Sequence, residues 1–99
     1  MTVYDVSLPD EFEPDAVESL VKETARSYGL NRRLETEMKQ YPGSKHWHFA
    51  RHGEKGTLEV TLLAKQRIFY ISFHSNRNAD WLPETCERLK TSLENSLKK

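Results

Sequence analysis

The sequence predicts an α+β fold. It is a two-layer sandwich in which a four-stranded antiparallel meander carries two helices on one face, in the order α-β-β-β-β-α, with room for a short extra strand at the N-terminal edge. Three observations predict it. Apolar residues recur at helical spacing near both ends of the chain, the middle alternates with a period of two, and turn residues cut that alternating stretch into strand lengths. With 99 residues the chain has the size of one domain, residues 1–99, and cannot hold a TIM barrel or a complete doubly wound dinucleotide domain.

From the N-terminus, Val3 to Leu8 alternates weakly and stops at Pro9, as a short edge strand does. Pro14 stands where helices begin, acids fill the first turn, and Ala16, Val17, Leu20, Val21, Ala25 and Tyr28 follow at helical spacing. Gly29 can take the left-handed conformation that closes a helix, so the spacing predicts a helix over 14–28. Leu34, Thr36 and Met38 then alternate with Glu35, Glu37 and Lys39 up to Tyr41-Pro42-Gly43-Ser44, where Pro before Gly suits a type II turn. His46 to Arg51 alternates aromatics with histidines, and residues 52–56 form a glycine-bracketed turn. Thr57 to Ala64 is the next strand, and a tight Lys65-Gln66 connection leads to the last, with Phe69, Ile71 and Phe73. Residues 75–80 read as a polar loop, Asp80 as a helix N-cap, and Leu82, Cys86, Leu89, Leu93 and Leu97 as the buried stripe of a second helix.

Hairpin turns set register, so the composition of each sheet face follows by counting from the turns. From Lys65-Gln66, Leu62 opposes Phe69, Val60 opposes Ile71 and Leu58 opposes Phe73. From the 53–56 turn, Phe49 opposes Val60 and Trp47 opposes Leu62; from Pro42-Gly43, Met38 opposes Trp47 and Thr36 opposes Phe49. The same count puts Glu37, His48, Thr61 and Tyr70 in one row of the other face, and Glu35, Ala50, Glu59 and Ser72 in the next. Lys39, His46, Leu63 and Ile68 make a third row, with His52, Thr57 and His74 at one end. Two helices cannot cover both faces, so this polar face is left to water or a partner and is where function is expected.

The candidate ligand or partner face is therefore Glu35, Glu37, His46, His48, Glu59, Leu63, Ile68, Tyr70 and His74. Glu37 beside His48 is its most chemical pair, because a neighbouring carboxylate raises an imidazole pKa toward the working range. The His46-Trp47-His48 spacing also sets both imidazoles on one side of a strand, as acid/base work or metal ligation requires. A flat sheet face excludes little water, however, and cross-strand charges are ordinary surface stabilisers. The sequence thus favours a small binding or interaction module without cofactor, self-associating through this face or a sheet edge. Leu63 and Ile68 supply the apolar spot for such an interface. A small enzyme, or a metal- or ligand-binding protein using the Glu/His group, is the alternative.

Fifteen basic and fifteen acidic residues give no net charge, although residues 1–31 are net −5 and residues 32–99 net +5. Zero net charge and three glutamates on the exposed face argue against nucleic-acid binding. Cys86 is the sole cysteine, so there is no internal disulfide and no zinc-finger spacing, and on the helix stripe it reads as a core residue. The acidic N-terminus lacks an export signal and the longest apolar run, Ile68 to Phe73, is too short to span a bilayer, so a cytoplasmic location without membrane contact is expected. Trp47 reads as core, Arg51 as a long side chain reaching water, and Trp81 as either the seal of the core's open end or a partner contact.

Overall fold

The computed structural model describes residues 1–74 and 79–98. Its elements are β1 (Thr2–Asp5), α1 (Pro14–Ser27), β2 (Leu30–Thr36), β3 (Lys45–Arg51), β4 (Leu58–Leu63), β5 (Ile68–Phe73) and α2 (Trp81–Leu97). The strands form one antiparallel sheet in the order β1-β5-β4-β3-β2, so the expected meander is β2 to β5 and the N-terminal strand pairs with β5, Tyr4 opposite Ile71. Both helices pack on one face, α1 over the β2 side and α2 over the β1 and β5 side. No described helix is long and apolar enough to cross a membrane.

The helices begin and end for local reasons. Pro14 and Asp15 occupy the first turn of α1, and Gly29, at φ +72°, ends it with its N–H donated to the Arg26 carbonyl at 2.9 Å. Asp80 does not cap α2. Its own dihedrals are already helical (φ −65°, ψ −19°), whereas a capping carboxylate needs an extended backbone to reach the first free N–H groups. Residues 75–78 of the expected polar loop lie outside the described residues.

The core joins Val17, Val21 and Ala25 of α1, and Leu82, Cys86, Leu89 and Leu93 of α2, to Trp47, Phe49, Leu58, Val60, Leu62, Phe69 and Ile71 of the sheet. Burial pushes the Cys86 thiol up to about 12, which leaves it a packing residue and not a nucleophile. Trp81 closes the end of the core, its indole N–H donated to the Lys55 carbonyl at 2.7 Å. Arg51 is held there too, lying over the Trp81 ring at 4.8 Å and donating to Thr85 Oγ1 at 3.0 Å instead of reaching freely into water.

Register matches the count in one hairpin and departs from it in two. β4 and β5 pair as expected, Leu62 with Phe69 and Val60 with Ile71. Trp47 lies opposite Val60 and Phe49 opposite Leu58, an offset of two residues from the expected pairs, because the connection takes in residues 52–57 and not only 53–56. An even offset keeps every side chain on its face. β2 is different. Arg32 opposes Phe49 but Leu34 opposes His48, so Arg33 is an extra residue, a β-bulge, and everything after it turns over.

The bulge sends Leu34 and Thr36 to the open face and Glu35 to the helix side. The strand then stops at Thr36, so the expected pairs of Met38 with Trp47, Thr36 with Phe49 and Glu37 with His48 do not form. Glu37 instead accepts the Gly43 N–H at 2.9 Å, Ser44 Oγ accepts the Met38 N–H at 2.9 Å, and Tyr41 to Ser44 make the expected Pro-Gly turn with Gly43 at φ +85°. Glu35 has a physical reason to be where it is: its Oε1 accepts from Trp47 Nε1 at 3.2 Å, from Lys22 at 2.9 Å and from Arg32 at 3.0 Å. Alongside, Glu18 binds Lys22 at 2.8 Å and Lys45 at 2.7 Å, and these hydrogen bonds hold its carboxyl down to about 2 despite desolvation.

Two measurements check this arrangement. In urea unfolding, Leu34→Asp stays within about 0.5 kcal/mol of the parent because Leu34 is exposed, whereas Leu30→Asp, in the core, loses more than about 3 kcal/mol; equal losses would remove the bulge. Glu18, depressed from an ordinary 4.5 to about 2, contributes stability that is fully present above pH 4.5 and lost as pH falls toward 2. Glu18→Gln therefore flattens the fall in stability between those two values, and an unchanged acid limb would mean that the lysines do not hold it.

Candidate functional site

The face opposite the helices carries two continuous rows. One reads Asp5, Tyr70, Thr61, His46 and Thr36 across the five strands; the next reads Val3, Ser72, Glu59, His48 and Leu34. His46 and His48 are two apart on β3, so alternation alone aims both imidazoles at this face, and β3–β4 pairing puts Glu59 directly beside His48. The three side chains converge. His46 Nε2 and His48 Nε2 are 3.0 Å apart, and Glu59 Oε1 lies 3.3 Å from the first and 3.5 Å from the second.

Two imidazole nitrogens at 3.0 Å cannot both carry a proton, nor can both present bare lone pairs, unless a cation lies between them. Without an ion, one ring donates to the other. With the proton on Nδ1, His46 donates to Thr61 Oγ1 at 2.8 Å and turns an unprotonated Nε2 toward Glu59. Thr61 is fully buried, so it serves as a fixed orienting partner. The triangle also has the right size, since neighbouring ligand atoms around a four-coordinate ion bound at about 2.0–2.1 Å stand about 3.3 Å apart.

Glu59 is electrostatically unlike the other half-buried carboxylates. Glu18 and Glu94 have side chains 23% and 19% exposed, and each is neutralised by lysine. Glu59, at 18%, meets only imidazoles among the described residues: His46, His48 and, from its other oxygen, His74 Nε2 at 3.8 Å. Burial, and after it the neighbouring His48, lowers the His46 pKa, while Glu59 pulls it the other way. At neutral pH His46 is therefore uncharged, the form that ligates metals, and Glu59 gets no counter-charge from it.

Of the residues expected on this face, His46, His48, Glu59 and His74 meet, with Tyr70 further along the row of His46. Leu63 and Ile68 pair at the end of the same face, Leu63 buried yet outside the helix-side core and Ile68 exposed. Glu35 faces the helices and Glu37 caps the turn after β2, so neither joins the group. Thr61 joins the group as a partner of His46 that alternation alone does not single out; its signal is a hydroxyl directly across the ladder from His46. Comparison of the chain with protein-family models, with curated proteins and with solved structures finds no match.

An NMR titration of the metal-free protein gives a His46 midpoint below the ordinary 6.5, and Glu59→Gln moves it lower still because the carboxylate is what pulls it up. A midpoint at the ordinary 6.5 that Glu59→Gln leaves unmoved would mean that the ring is solvated and the group is not assembled.

Proposed function

We propose that this protein binds a divalent first-row transition ion of the zinc class through His46 Nε2, His48 Nε2 and Glu59 Oε1. The observation that carries this is the 3.0, 3.3 and 3.5 Å triangle of three donor atoms on two adjacent strands. Two imidazoles and one carboxylate suit zinc, iron, nickel or copper and are a poor set for magnesium or calcium, which take oxygen ligands. The ion would set a permanent positive charge beside Glu59, whose ionisable neighbours among the described residues are imidazoles and not lysines, and Thr61 would hold the His46 tautomer that leaves Nε2 free. The role is binding and not catalysis, because the open face excludes little water from the ion.

Calorimetry of chelator-stripped protein against Zn2+ checks the proposal, with Co2+ as a spectroscopic reporter. The expected result is one ion per chain, no heat with Mg2+, and a loss of at least about tenfold in affinity for His48→Ala and for Glu59→Gln. Both side chains are on the surface layer of the sheet, so circular dichroism of each variant should match the parent. Failure of the parent to bind Zn2+, or variants that bind as well as the parent, would overturn it.

A further inference from the structure

We propose that the ion is shared: His74 of a second copy completes the coordination, so that two copies pack open face to open face. This rests on the ion-binding proposal above and names its partner. Three protein donors leave at least one position of a four-coordinate ion unfilled. All three rise from the sheet, so the unfilled position points away from it, toward whatever lies over the face.

His74 of the same chain does not fill that position. Its Nε2 approaches Glu59 Oε2, the oxygen outside the triangle, at 3.8 Å, and its side chain is 68% exposed at the end of β5. An imidazole held at the rim of the face and open to solvent is free to ligate an ion on another molecule. It is also the donor type that the triangle already uses.

The surroundings fit a macromolecular occupant. Val3 and Leu34, at the two ends of the row that contains Glu59 and His48, are exposed, and so is Ile68 beside the buried Leu63. No described helix covers this face, since the helix-side core takes up α1 and α2. What this face offers among the described residues is a two-row sheet surface with an apolar rim. A second copy matches such a surface twice over. The chain carries no net charge and so does not repel itself, and a two-fold axis lets one patch supply both the three-donor site and the histidine that completes its mate.

Sedimentation over a range of concentrations, in EDTA and in Zn2+, tests this with the full chain. The expected result is a monomer in EDTA and a dimer holding two ions in Zn2+. His74→Ala abolishes the dimer, and Ile68→Asp does the same while still binding one ion per chain. A monomer that binds Zn2+ overturns the shared ion while the ion-binding proposal stands, and so does a dimer of equal strength in EDTA. A monomeric ion complex weakened by His74→Ala would place His74 in its own chain's coordination shell and overturn the second copy. A His74→Ala protein that still dimerises with Zn2+ overturns the role of that residue. Absence of Zn2+ binding in the parent ends both proposals together.

Discussion

Strict two-residue alternation along β3, β4 and β5 is the constraint from which the other features follow. Trp47, Phe49, Val60, Leu62, Phe69 and Ile71 must share a face to make a core with the helices, and once they do, His46, His48, Glu59 and Thr61 have nowhere to go but the opposite one. Polar convergence on that face is thus imposed by the hydrophobic effect acting on the neighbours. It needs no directing contact of its own, and it holds the donors on backbone already locked by ladder hydrogen bonds.

The two sides of the sheet solve the same electrostatic problem differently. On the helix side, Glu18 and Glu35 sit where Lys22, Lys45 and Arg32 reach them, so each carboxylate has a permanent cation and a lowered pKa. On the open side, Glu59 has imidazoles, whose charge depends on pH and on ligation. A lysine in place of either β3 histidine would neutralise Glu59 for good. Histidine keeps a lone pair that lysine does not have.

The sequence made the parity of the three central strands readable because each bears large apolar residues at every second position. It also made the Pro42-Gly43 turn, the glycine stop at Gly29 and the leucine stripe of α2 readable, since each is written in a few adjacent residues. What alternation could not convey was the bulge at Arg33. Leu30 and Leu34 have the same parity, so a regular strand would put both in the core, whereas the turned-over strand brings Glu35 to Trp47, Lys22 and Arg32. That turnover moved Glu35 and Glu37 out of the expected group. The even offset between β3 and β4 changed neighbours without changing faces, and so brought Glu59 beside His48 in place of Thr61, while the bulge put Leu34 on its other side in place of Glu37.

The bulge has a further consequence at the free edge of β2. A regular edge strand exposes an unbroken series of N–H and C=O groups onto which a foreign strand can add, and chain after chain can then stack into a fibre. Here the extra residue breaks the spacing of those groups part-way along, and it is an exposed arginine flanked by a second one. A strand arriving at this edge would lose its hydrogen-bond register after a few residues and meet concentrated positive charge. The residue that rearranges the inner polar network therefore also acts as a guard against edge-to-edge aggregation, and leaves the sheet's open face as its sociable surface.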